Sequence, residues 1–108
     1  MTLSEQAYES TVKSVFNNIL ENVENQCDSV DIDIDDQSLT IENDDGQQLL
    51  LNKHAPTKEI WLSSPLSGAW HFTYHEQSSK WISSKESHEL FVFLTKEISQ
   101  LTQTKITL

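Results

Sequence analysis

Val30-Asp31-Ile32-Asp33-Ile34-Asp35 alternates aliphatic and acidic residues with a period of two. In an extended strand successive side chains point to opposite faces, so the aliphatics enter a core while the three aspartates project from the other side. Immediately upstream the period differs. Tyr8, Val12, Val15, Phe16, Ile19, Leu20 and Val23 recur at intervals of three, four and one, which gathers them on one side of a 3.6-residue helix. Glu5, Glu9, Lys13, Asn17, Glu21 and Glu24 take the wet side. Thr2-Leu3-Ser4-Glu5 has the form of a capping box, with a threonine oxygen and a glutamate exchanging bonds with exposed backbone N-H groups, and predicts the helix start.

Downstream, the period of two persists. Leu39-Thr40-Ile41 reads as a second strand, Asn43-Asp44-Asp45-Gly46 as a tight turn, and Gln47 to Asn52 as the antiparallel return. Glu59-Ile60-Trp61-Leu62-Ser63 alternates again; with Ile60 and Leu62 inside, Trp61 stands outside with Glu59 and Ser63. A large exposed indole is unusual unless something covers it. After the Ser64-Pro65-Leu66-Ser67-Gly68 turn, Trp70, Phe72 and Tyr74 alternate with His71, Thr73 and His75, and Lys80-Trp81-Ile82 makes a short further strand beyond Gln77-Ser78-Ser79. Ser83 and Glu86 repeat the capping-box spacing ahead of Leu90, Phe91, Leu94, Ile98 and Leu101, predicting a closing helix to Gln103. Without βαβ alternation, the expected class is α+β. It is a two-layer α-β sandwich over a single domain, 1–108, with the N- and C-terminal helices packed on one face of an antiparallel sheet of about six strands.

Seventeen acidic residues face seven lysines and no arginine, a formal charge of -10. Such a field repels phosphate backbones and attracts cations and basic protein surfaces, so nucleic acid is excluded as a partner. No apolar run reaches the roughly 18 residues of a membrane helix, and no basic segment followed by an apolar stretch opens the chain. A soluble, unexported protein is expected.

Glu21, Glu24, Asp28, Asp31, Asp33, Asp35 and Asp36 run from the helix end through the first strand, with Asp44 and Asp45 at the nearby hairpin. Crowded like charges repel unless a cation neutralises them, and exposed oxygen ligands favour weak, unselective binding of hard cations: Fe²⁺, Fe³⁺, Mn²⁺, Ca²⁺ or Mg²⁺. The competing reading is a solvated acidic face. His71 and His75, four apart on a strand, lie roughly 13 Å apart on the same face, too far to share an ion. Cys27 has no basic neighbour, and its acidic surroundings are expected to oppose a thiolate. With Gly at only two positions there is no phosphate-cradling loop. Asn52, Trp61 and His71 take neighbouring outward positions on the exposed sheet face, an arrangement suited to an interface anchor.

The segment Leu51-Asn52-Lys53-His54-Ala55-Pro56-Thr57-Lys58-Glu59-Ile60-Trp61-Leu62-Ser63-Ser64-Pro65-Leu66-Ser67-Gly68 strongly resembles the central signature of the frataxin family, which includes the bacterial CyaY form, and the likeness extends over nearly the whole chain. The resemblance implies an iron-binding regulator of iron-sulfur cluster assembly, or an iron donor to it. Weakly held Fe²⁺ or Fe³⁺ would lie along Glu21, Glu24, Asp28, Asp31 and Asp33, with Asp35 and Asp36 extending the patch. It implies a basic cysteine desulfurase docking on that ridge and an iron-sulfur scaffold protein on the sheet face around Asn52, Lys53, Trp61 and His71. It further implies a monomer that iron can drive to oligomerise, and, with Met1 so near the first helix, a bacterial cytoplasmic location. The alternatives are a docking module with incidental metal affinity and an iron-oxidising enzyme. The chain departs from the family at Asn17, Asn18, Asn22 and Asn25, where carboxylates are more usual, at His54, where glutamine is usual, and at His71, which is basic in mitochondrial relatives. Its short C-terminus is expected to leave the core end less covered.

Overall fold

The computed structural model describes residues 3–108. Helix α1 (Glu5–Gln26) is followed by strands β1 (Asp31–Ile34), β2 (Ser38–Glu42), β3 (Gln48–His54), β4 (Glu59–Ser64), β5 (Gly68–His75) and β6 (Lys80–Ser83), and by helix α2 (Leu90–Thr102); a single 3-10 turn, Ala55–Thr57, links β3 to β4. The strands form one sheet in sequence order, each pair antiparallel. This is the expected two-layer arrangement. Tyr8, Val12, Phe16, Ile19 and Val23 of α1 and Leu90, Leu94, Ile98 and Leu101 of α2 share a core with Leu39, Ile41, Leu49, Leu51, Ile60, Leu62 and Phe72 of the sheet.

The helix starts follow different chemistry from that expected. Thr2 lies outside the described residues; Ser4 is the N-cap of α1, its Oγ accepting from the Ala7 N-H at 3.1 Å. The second capping box does not form. Ser83 belongs to β6, and its Oγ donates to the Lys85 carbonyl and accepts from His88 N-H. Glu86 and Ser87 take φ of 62° and 51°, left-handed values that no α-helix admits. Helix α2 begins only at Leu90, where the Glu89 carboxylate accepts from the N-H groups of Phe91 and Val92.

The core end is covered, contrary to expectation. Beyond Gln103 the chain folds back and buries Ile106 to 1% exposure. Gln26 clasps the Thr107 backbone, accepting from its N-H at 2.8 Å and donating to its carbonyl at 2.7 Å. Ser99 likewise bonds both the N-H and the carbonyl of Ile106. A second lock was not visible in the sequence. Glu97, 5% exposed, accepts from Ser64 Oγ at 2.7 Å and from Ser67 Oγ, fastening α2 to the β4-β5 turn without a cation.

Ile106→Ala should cost about 2–5 kcal/mol of unfolding free energy, the usual range for emptying a buried aliphatic site. Urea unfolding checks this; a loss below about 0.5 kcal/mol would mean that the tail adds little to the core.

Candidate functional site: an acidic edge and an aromatic sheet face

Register decides what each strand exposes. Asp31 opposes Glu42 and Asp33 opposes Thr40 on the outer face, while Ile32 and Ile34 oppose Ile41 and Leu39 on the helix side. Six of the seven predicted carboxylates line three grooves on the α1-β1 side of the molecule, and Asp33 stands on the outer face of β1 beside them. Glu24, Asp28 and Asp31 line one with Cys27, Val30 and Ile32, a space of about 360 Å³. Glu21 lines another with Ser14, Asn17 and Asn18. Asp35 and Asp36 line a larger cleft of about 800 Å³ with Lys13, Phe16, Ile34 and Lys53. Asp44 and Asp45 face a different groove, against the end of α2. Among the described residues no three His, Cys, Asp or Glu side chains converge on one metal position.

Their hydrogen bonding separates these carboxylates. Asp35 Oδ1 accepts from the N-H groups of Gln37 and Ser38, both at 2.8 Å, and from Ser38 Oγ. The two backbone bonds hold its carboxyl below the usual range, so Asp35 shapes the β1-β2 turn. Among the described residues, no side-chain hydrogen bond reaches Glu21, Glu24, Asp28, Asp31, Asp33 or Asp36. The one lysine-carboxylate ion pair among the described residues joins Lys53 to Glu9 at 2.5 Å.

That pair corrects the expectation for Lys53. It follows Asn52 by one residue and opposes Ile60, so it points toward α1, its side chain 9% exposed, and does not join the sheet-face group. Asn52, Trp61 and His71 do stand abreast on three successive strands. Trp61 is not bare. It is half-buried between two imidazoles, His54 at 3.7 Å between ring centroids and 10° between planes, and His71 at 4.2 Å and 7°. His54 was thus missed as a site residue: only the β3-β4 register brings it over the indole.

Glu59 holds this stack. Its Oε1 accepts from Trp61 Nε1 and Thr57 Oγ1, each at 2.9 Å, and its Oε2 from Thr73 Oγ1 at 3.3 Å. Burial pushes the Glu59 carboxyl up, but these hydrogen bonds and the nearby His71 outweigh it and leave the group below its ordinary value. Behind the stack Tyr8 donates to the Glu59 carbonyl at 2.7 Å; burial pushes its phenol up to about 12. Cys27 also departs from expectation. Burial works to raise its thiol, yet hydrogen bonds involving Ser29 and Thr104 outweigh that and the opposing Asp28 charge and leave the group lowered.

A family model described as a Frataxin-like domain matches residues 1–104. The chain belongs to the frataxin-like family. It is 28% identical to the iron-sulfur cluster assembly protein CyaY of Ralstonia nicotianae, covering 98% of this chain and 95% of that protein. With CyaY of Neisseria meningitidis serogroup C it shares 34% identity over 75% of this chain and 77% of the relative. Frataxin from Psychromonas ingrahamii superposes with a TM-score of 0.88 at 23% identity, covering 97% of both chains, a likeness of fold. Trimeric yeast frataxin, described as complexed with ferrous, gives 0.71 at 26% identity over 95% of this chain and 89% of that one. The two-helix sandwich and its meander are thus those of the frataxin-like fold. No helix among the described residues is long and apolar enough to cross a membrane.

Glu59 yields a pH prediction. Because its folded pKa is depressed, its stabilising contribution is present above the ordinary glutamate range and is lost as pH falls through that range toward the folded value. Glu59→Gln should therefore unfold at lower urea than the parent at pH 7, with the gap narrowing as the pH falls below the ordinary glutamate range. A gap that persists at low pH would show that the carboxylate charge is not what holds the stack.

Proposed function

We propose that the protein takes part in iron-sulfur cluster assembly, binding Fe²⁺ or Fe³⁺ weakly along the α1-β1 edge and acting as a regulator of the assembly machinery or an iron donor to it. The observation that carries this reading is the set of carboxylates at that edge, Glu24, Asp28, Asp31 and Asp33 foremost, that no lysine and no hydrogen bond of the described chain relieves. Carboxylate oxygens suit hard iron ions, and an open surface that does not wrap the ion makes the binding weak and exchangeable, as handing cargo on requires. The names of the CyaY relatives support the pathway, and the ferrous complex of the yeast homologue supports the cargo. In this reading the acidic edge also docks a basic cysteine desulfurase, and the face carrying Asn52, Trp61 and His71 meets an iron-sulfur scaffold protein. Relief of mutual repulsion by iron is also a route by which a monomer would oligomerise.

A second reading has its own observation. Because no three candidate ligands converge among the described residues, the edge is also consistent with a docking surface for a basic enzyme whose metal affinity is incidental. Iron oxidation is the least supported activity, since a two-iron carboxylate centre needs converging ligands.

One experiment separates these readings: Asp31→Asn/Asp33→Asn is compared with the parent for desulfurase binding with and without iron, alongside backbone NMR during iron titration. Iron cargo predicts perturbed signals from Glu24 to Asp33, unperturbed signals on the β5-β6 side, and a larger affinity loss when iron is present. Equal losses in both conditions with no iron-induced shifts would leave charge matching alone.

A further inference from the structure

The meander has two edges, and they are treated differently. Along β6, Ile82 bridges to Glu89 and Ser83 N-H bonds to the His88 carbonyl, so the segment before α2 runs beside that edge. Along β1 no such segment exists among the described residues; β1 pairs only with β2. Register identifies the groups left open. Asp35 N-H bonds to the Ser38 carbonyl at 3.0 Å, so residue 35, and by alternation Asp33 and Asp31, turn their backbone groups toward β2. Ile32 and Ile34 turn theirs outward, and neither has a backbone or side-chain hydrogen-bond partner on that side among the described residues.

The side chains flanking this open edge are sorted by face. On the outer side stand Asp31 and Asp33; on the helix side stand Ile32 and Ile34, the latter 38% exposed and beside the cleft that Phe16 also lines. An edge of this kind is ordinarily a self-association hazard, and charge is the usual protection against it. Here two copies meeting edge to edge would bring aspartates against aspartates. The same charges favour a strand of opposite sign, because cross-strand pairs of opposite charge stabilise and like pairs destabilise.

We propose that β1 accepts an extended basic segment of a partner protein as an added strand, with main-chain bonds to Ile32 and Ile34, lysine or arginine side chains beside Asp31 and Asp33, and aliphatic side chains beside Ile32 and Ile34. The inference deepens the docking half of the function proposed above and rests on it. It adds a backbone component that charge attraction alone lacks, and so restricts partners to segments able to lie extended.

The test uses the whole chain and a short synthetic peptide alternating lysine and valine. A second peptide carries N-methyl groups on the amides that would face β1, and residue-resolved amide exchange is followed by NMR. The parent peptide should slow exchange at Ile32 and Ile34 by about tenfold or more while Asp31 and Asp33, already bonded to β2, change little. N-methylation should weaken binding about tenfold. Ile34→Pro should do the same and stay folded, because the ring replaces an N-H that faces solvent. Equal binding of the two peptides, with exchange at Ile32 and Ile34 unchanged, would overturn strand addition while leaving charge docking intact. Peptide binding undiminished in Asp31→Asn/Asp33→Asn would instead remove the charge reading beneath it. Protection of Ile32 and Ile34 by a second copy of the chain, without peptide, would also overturn the proposal.

Discussion

Burying one face of a meander beneath two helices fixes the parity of every strand, and in this protein both candidate surfaces inherit that parity. Leu39, Ile41, Leu49, Leu51, Ile60 and Phe72 are fully enclosed against α1 and α2. A slip of one residue in any strand would turn its aliphatics to water and its polar set inward, at about 1.5–3 kcal/mol per large side chain. Asp31 and Asp33 face outward because Ile32 and Ile34 face α1; Asn52 and Trp61 face outward because Leu51, Ile60 and Leu62 do not. Lys53 obeys the same rule. It sits in the inward row at the end of the sheet, where Glu9 of α1 meets it.

Carboxylates in this chain receive two treatments. Where they hold structure they are hydrogen-bonded within the chain: Glu59 by Trp61, Thr57 and Thr73, Glu97 by Ser64 and Ser67, Glu89 by the first N-H groups of α2, Asp35 by its own turn. At Glu21, Glu24, Asp28, Asp31 and Asp33 they are left open: Lys13 and Lys53 line the neighbouring cleft, but Lys53 pairs with Glu9 instead. Glu5, Asp44, Asp45 and Glu76 also lack a side-chain partner among the described residues, but it is the concentration of such groups on the α1-β1 edge that suits them to being satisfied from outside, by a cation or by a basic surface. The aromatic face differs in kind. The His54-Trp61-His71 stack is already packed, so a partner meeting it would have little further side-chain ordering to impose.

Much of this was legible in residue order, for a physical reason. The change of period at Val30 and the alternation from Glu59 to Ser63 are local patterns that burial acts on directly, so the element order, the meander and the outward placing of Asp31, Asn52, Trp61 and His71 could be read from them. What escaped depends on distant partners. Covering of Trp61 by His54 requires strand register and the Ala55–Thr57 turn. The Glu97 lock joins residues about thirty positions apart, and the inward Lys53 is disguised by an ion pair with α1. The spacing of Ser83 and Glu86 suggested a cap, but Glu86 itself and Ser87 are left-handed, which keeps the helix from starting there and passes its capping to Glu89. The tail was underestimated because Ile106 is an isolated aliphatic, with no periodicity to mark it as core.

The unpartnered carboxylates of the α1-β1 edge repel one another, and relief must come from outside the fold. Thermal unfolding of the parent and of Asp31→Asn/Asp33→Asn, at low salt and then with a divalent cation at matched ionic strength, tests it most directly. The neutralised variant should melt higher than the parent at low salt, and the cation should raise the parent's Tm but barely move the variant's. A variant that melts lower than the parent, or a cation that stabilises both equally, would contradict it.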